Sequence, residues 1–268
     1  MNISEQHPSH AKHQNKTLIT MTTSKSAIRI EPITTTDDFA RFFDISALTF
    51  GHQIHDGIWS AFNPGWDTPA GRQAGIARLV ERWESITKDR NGDVNTVFLK
   101  AVVPRDDDSG EEDIAGVAIW VQASNVPGYG DKPATDLGEA MDLEALYPGN
   151  PTEQRYLRQL DASLHGRRAQ LVSEIASTDS PAVMVLDLCT VDPAFQRRGI
   201  AKKLVQWGLD EAKRRGGLEA VTEASAMGRH VYAQLGFVQE GREMEARVDE
   251  EFRRRSWPSN VFMRTGRA

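Results

Sequence analysis

VMVLDLCTVDPAFQRRGIAKKLVQWGLDEAKRRG, residues 183–216, joins an apolar run to a basic turn and then to an amphipathic segment. The apolar part, with PA before it (181–191), reads as the most buried strand of the chain. Asp192-Pro193 starts a turn. From Gly199 to Arg215 the pattern predicts a helix with Ile200, Leu204, Trp207, Leu209 and Ala212 facing inward. Gly216-Gly217 ends it. LEAVTEAS (218–225) then reads as a short strand, and 226–235 as a helix closing at Leu235-Gly236.

Working outward, AIRIEPI (27–33) alternates as a strand does. Residues 34–50 predict a helix capped by Thr36 or Asp37, with Phe39, Phe42, Phe43, Ala47 and Phe50 on its apolar stripe and Gly51 as its stop. Residues 52–71 read as an ordered loop or broken helix, and 70–88 as a helix. TVFLKAVVP (96–104) and IAGVAIWVQ (114–122) are strands on either side of the acidic run 105–113, a solvated hairpin tip. Residues 135–147 and 151–176 look helical, with Pro151 suited to a first turn. This places helices between two strands. The segments 237–248 and 259–265 predict a final antiparallel pair. The expectation is α/β, one mixed domain over 27–268, with no internal repeat.

The 268 residues carry a net charge of −6, with 39% hydrophobic and 26% charged side chains. The acidic balance argues against nucleic acid as a partner, since phosphate binding draws on a basic excess. No apolar stretch is long enough for a membrane span. Cys189 is the single cysteine, which excludes an intrachain disulfide and suits a reducing, cytoplasmic setting. Residues 1–26 are polar, lack an apolar signal core and read as a disordered tail. His7, His10 and His13 recur there at every third residue with no acidic or thiol partner, so no metal is expected.

The turn Gln196-Arg197-Arg198-Gly199-Ile200-Ala201 opens a helix. A helix start leaves backbone N–H groups without partners and is electrically positive, so it stabilises an anion. Gly199 allows close approach, and the two arginines add charge. A diphosphate suits such a turn, although a solvated helix start has the same residues. Tyr232 follows one helix later, in Tyr-x-x-x-Gly-Phe (232–237).

Gln196-x-x-Gly199-x-Ala201, the strand VLDLCTVDP before it and SAMGRHVYAQLGF after it resemble the GCN5-related N-acetyltransferase (GNAT) superfamily. The helical insert and the Trp59 and Trp66 loop resemble those of puromycin-type acetyltransferases. The resemblance implies a mixed sheet of about seven strands, helices on both faces, splayed fourth and fifth strands, and the helical insert between the third and fourth. It implies acetyl-coenzyme A as cosubstrate. Backbone amides of Leu188, Cys189, Thr190 and Val191 would pair with pantetheine. Gln196, Arg197, Arg198, Gly199, Ile200 and Ala201 would hold the diphosphate. Ser225 stands where many members carry Asn. Tyr232 would protonate the departing thiolate, which suits a phenol that keeps its proton at neutral pH. No motif fixes the general base: Glu223 is the first candidate and Asp187 the second. Cys189 reads as a small apolar residue rather than an acyl carrier. Phe50, His52, His55, Trp59, Phe62 and Trp66 either cradle the acceptor or plug the core.

The resulting expectation is acetyl transfer to a small-molecule primary amine in a ternary complex, by a monomer or homodimer. A protein or peptide acetyltransferase and a non-catalytic acyl-coenzyme A sensor are the alternatives.

Overall fold

The structure is a computed structural model that describes residues 1, 28–105, 107 and 109–266. The expected tail, with His7, His10 and His13, lies outside the described residues apart from Met1. The elements run β1 (Arg29–Pro32), α1 (Asp38–Ser46), α2 (Gly57–Phe62), α3 (Pro69–Glu84), β2 (Thr96–Pro104), β3 (Glu112–Ala123), α4 (Leu143–Leu146), α5 (Pro151–Ile175), β4 (Val183–Val191), α6 (Ile200–Arg214), β5 (Glu219–Ser225), α7 (Arg229–Ala233), β6 (Val238–Glu243) and β7 (Asn260–Arg264). Seven strands form one sheet in the order β1-β2-β3-β4-β5-β7-β6. The β4–β5 pair is parallel and the other pairs are antiparallel. The mixed seven-stranded sheet, with its helices inserted between β3 and β4, agrees with the sequence reading.

Each face of the sheet has its own helices. On one face α6 sets Ile200, Leu204, Val205 and Ala212 against Leu99, Ala118, Trp120 and Leu186. Trp120 donates to the Leu204 carbonyl (3.3 Å). A Cβ on Gly208 would stand 1.9 Å from the Trp120 ring. The buried stripe therefore runs through Val205 and Gly208, and the expected Trp207 and Leu209 are only partly covered. On the other face Phe39, Phe42 and Ile45 of α1 meet Phe98, Val117 and Ile119.

The long helix α5 lies on this second face. Its C-terminal half buries Leu171, Val172 and Ile175 against Val183, Val185, Val221 and Phe262. Its N-terminal half buries Tyr156, Leu157 and Leu160 against Ile58, Leu143, Leu146 and Phe252. At roughly 2 kcal/mol for each buried aliphatic side chain, these ends hold the helix down despite its polar middle.

Three expectations need correction. The first helix does not stop at Gly51 but widens into a π-helical segment, Ala47–Gln53. Gly51 is needed there for another reason, since a Cβ would lie 2.5 Å from the Trp66 ring. Residues 135–147 are not one helix. Asp136 and Asp142 accept from Gly138 N (2.7 Å) and Ala145 N (3.0 Å), and each cap restarts the chain, leaving only Leu137–Glu139 and α4. The helix over 226–235 shrinks to α7, because Ser225 and the Gly228 turn take its first residues.

Candidate active site

The site begins where β4 and β5 part. They pair from Val183↔Glu219 to Leu186↔Thr222 and no further. At the last pair, Thr222 Oγ1 donates to the Leu186 carbonyl (2.9 Å). On its other side β4 slips register against β3: Ile119 faces Leu188 and Trp120 faces Leu186, so Asp187 is an extra residue. Such a bulge bends the strand and increases its twist. Beyond it β4 stays with β3 as far as Val191↔Gly116, while β5 stays with β7 as far as Ser225↔Asn260. Residues 187–191 and 223–225 thus border a gap with main-chain groups on both edges. Those groups fit the amides of a pantetheine arm.

The bulge also sorts the side chains. Leu188 joins the α1 face, and Cys189 joins the α6 face. Burial pushes the Cys189 thiol up to about 12. It stays un-ionised at neutral pH and is a poor nucleophile.

The turn after β4 is built by side chains that tie it down. Asp192 accepts from Ala194 N (2.8 Å) and pairs with Arg41 (2.5 Å), which also donates to the Ile114 carbonyl (3.1 Å). Gln196 donates to the Val191 carbonyl (3.0 Å) and exchanges two amide hydrogen bonds with Gln53 (3.0 and 2.8 Å). The Gln196 carboxamide is spent on the protein, so what it does here is position the turn. Arg197 and Gly199 both have left-handed backbone, with φ of 65° and 81°. A left-handed residue followed by the right-handed start of α6 points successive N–H groups into one concavity. Gly199 caps α6 with no side-chain hydrogen bond, and the first turn has no acidic residue. Beyond its own chain neighbours, nothing stands within 4 Å of a Cβ built on Gly199. The concavity is open and suits a diphosphate. Arg197 and Arg198 are exposed, and Arg198 lies over the Phe195 ring (5.1 Å).

Tyr232, on α7, is buried with the α6 face and packs against Phe237 at 5.9 Å. Its ring covers Gly228, where a Cβ would lie 2.6 Å away. Burial raises the phenol well above its ordinary value. It therefore carries its proton at neutral pH. Ser225 accepts from Gly228 N through its hydroxyl (3.3 Å), so it shapes the turn into α7.

On the opposite face, the two candidate bases share a partner that the sequence reading missed. Arg168 of α5 bonds Asp187 (2.8 Å) and makes two contacts with Glu223, Nε to Oε1 at 3.1 Å and Nη2 to Oε2. Arg82 of α3 adds a second cation to Asp187 (2.9 Å). The side chains of Arg168, Asp187 and Glu223 are 12%, 17% and 5% exposed. Although burial opposes its charge, Arg82 and Arg168 hold the Asp187 carboxyl far below the usual carboxylate range. A carboxylate so stabilised is a poor proton acceptor, and the Glu223 carboxylate is spent on Arg168. Both act here as struts joining α3, α5, β4 and β5. Arg168 carried no sequence signal beyond a basic residue on a helix.

The aromatic residues proposed for the acceptor separate. Phe50 stacks on Trp59 (6.0 Å), Trp59 meets Trp66 edge-on (5.7 Å), and Trp66 meets His52 (4.7 Å). Phe62 turns toward the α5 cluster, and His55 is exposed with φ of 50°. Trp66, His52 and Phe43 border a cleft of about 950 Å³ between α1 and α3.

Residues 146–248 match the acetyltransferase (GNAT) domain family. No curated protein matches the chain by sequence. Among solved structures, the chain is similar to arylalkylamine N-acetyltransferase 2 from Aedes aegypti, with 19% identity, 89% of this chain and 98% of that one covered, and a TM-score of 0.56. It is also similar to the Drosophila melanogaster polyamine N-acetyltransferase that forms N-acetylagmatine, with 11% identity, 89% and 98% covered, and a TM-score of 0.53. At these identities the likeness is one of fold. The family match is confined to residues 146–248, and the likeness to these structures extends the same fold over most of the chain.

Proposed function

We propose that this chain is an acetyl-coenzyme A-dependent N-acetyltransferase that acetylates a small-molecule primary amine by direct transfer in a ternary complex. The observation that carries this reading is the parting of β4 and β5 beside the open N–H concavity at Gly199. Bound acetyl-coenzyme A supplies an activated acetyl group as its thioester. The N–H groups of Arg197 to Ala201 would bind the diphosphate, and Arg197 and Arg198 would add charge. The β4 edge over 188–191 would hold the pantetheine arm and set its orientation, a preorganised arrangement that needs no rearrangement during reaction. Tyr232 keeps a proton at its hydroxyl on the α6 face for the departing sulfur. The protonated state of Cys189 favours direct transfer over an acyl-enzyme.

The acidic balance of the chain favours a cationic acceptor. The relatives named above act on amines, in agreement with this choice. Calorimetry with acetyl-coenzyme A tests the reading first, and absence of uptake by folded protein overturns it. A panel of arylalkylamines, polyamines and peptides, read by free-thiol release, then tests the acceptor. Turnover of small amines is expected. Turnover confined to peptides would move the reading to a peptide acetyltransferase, and tight binding with no turnover to a sensor.

A further inference from the structure

The inward stripe of α5 is apolar at both ends and polar in the middle. Leu157 and Leu160 lie at one end and Leu171, Val172 and Ile175 at the other. Between them the stripe carries Asp161, His165 and Arg168 (spacings of four and three), which share a helix face. Burying polar groups there costs stability. That middle is where Arg168 spans the start of the β4–β5 gap, bonding Asp187 on one edge and Glu223 on the other.

His165 Nδ1 lies 2.8 Å from Asp161 Oδ1. An ionised carboxylate only accepts, so Nδ1 carries a proton, and in the neutral ring the lone pair is on Nε2. The His165 side chain is 32% exposed, so the imidazole is open to solvent, unlike Arg168 one turn along the helix and the Glu223 it bonds. His165 is close enough to Asp187 to act on its charge. His165 bonds Asp161 on α5 and acts on Asp187 of β4, which is itself paired with Arg168 of α5 and Arg82 of α3. The segment after β6 meets neighbouring Ser163 through the Arg247 main chain.

We propose that His165, oriented by Asp161, is the proton acceptor for the attacking amine. The inference rests on the proposed function and goes beyond it by naming the base that no motif supplied. In direct transfer the amine adds to the acyl carbon and the sulfur leaves from the tetrahedral adduct, so the group that takes the amine's proton and the group that protonates the sulfur are different side chains. Tyr232 lies with the α6 face and His165 with the α5 face, so donor and acceptor flank the gap. The net negative charge of the chain draws the amine in as its ammonium. Two protons leave its nitrogen. His165 Nε2 takes the first and passes it to solvent. The second leaves as the carbon–nitrogen bond forms and the carbon–sulfur bond breaks, and solvent returns it to Tyr232, which has protonated the sulfur.

The test uses the full chain and the best amine from the panel. H165Q should lower kcat/KM by about 100-fold or more and flatten the acid limb of its pH profile. Coenzyme A affinity by calorimetry should stay within about twofold, because the diphosphate site is untouched. D161N should cost less and move the ring proton to Nε2 in ¹H–¹⁵N spectra taken at pH ~8, whereas wild type shows it on Nδ1. H165N is the second variant if H165Q unfolds. Wild-type tautomer on Nε2, or H165Q turnover within about threefold of wild type with its acid limb intact, overturns the assignment and leaves the proposed function standing. Failure of wild type to bind acetyl-coenzyme A overturns both.

Discussion

Arg168→Met tests the strut beneath the site. It removes a guanidinium and keeps a flexible apolar stem of similar reach. Arg168 and Glu223 are nearly sealed from water, and Asp187 is mostly so. Removing one partner from a buried ion pair costs about 3–5 kcal/mol. Asp187 keeps Arg82, so the lower end applies, about 3 kcal/mol. For a chain of this size, about 2–4 °C per kcal/mol gives a loss of roughly 6–12 °C in Tm at neutral pH. The sign with pH follows from Asp187. Its folded carboxyl is depressed, so its stabilisation is full above the ordinary carboxylate range and is lost as pH falls through and below that range. In R168M both carboxylates lose their shared partner and only Asp187 keeps a cation, Arg82, so proton uptake relieves them. The difference between wild type and R168M should therefore narrow from neutral pH toward about pH 5. Thermal unfolding by circular dichroism at both pH values reads it. A loss under about 2 °C at neutral pH, or an equal loss at both, would refute the strut. The triple variant R168M/D187N/E223Q should recover part of the loss, since it removes the charges together.

Three further outcomes follow from the site. Tyr232→Phe keeps the buried ring and loses only the hydroxyl, so kcat by thiol release should fall about 100-fold with Tm little changed. Cys189→Ala should leave turnover within about threefold, and native protein should resist iodoacetamide at pH ~8, because burial raises the thiol far above that pH. Gly199→Ala meets no steric neighbour, so its cost is the left-handed backbone alone, about 1–2 kcal/mol. Coenzyme A affinity by calorimetry should weaken if the turn relaxes, by about tenfold for each 1.4 kcal/mol.

The order of strands and helices was legible because hydrophobic period survives in isolated segments. The strand 96–104 and the helix start at Pro151 are where the sequence reading puts them. The anion turn was legible because the features it needs are local: a glycine with positive φ and a helix start. The first-helix stop and the 135–147 helix misled for the opposite reason. Gly51 makes room for Trp66, fifteen residues on, and Asp136 and Asp142 compete locally with the helix.

The sequence by itself therefore determined the sheet-and-helix alternation, the basic glycine turn and Tyr232 in its Gly-Phe context, since each is set by neighbours along the chain. Tertiary structure alone decided what the carboxylates are. Asp187 and Glu223 lie thirty-six residues apart and look like free acids on strand edges. Arg168 reaches both only because the insert helix packs across the strands, and a charge's environment is set by what stands within a few ångströms in space, not along the chain. The same packing sets Asp161 and His165, two unremarked polar residues, on the helix that carries Arg168 to the place where β4 leaves β5.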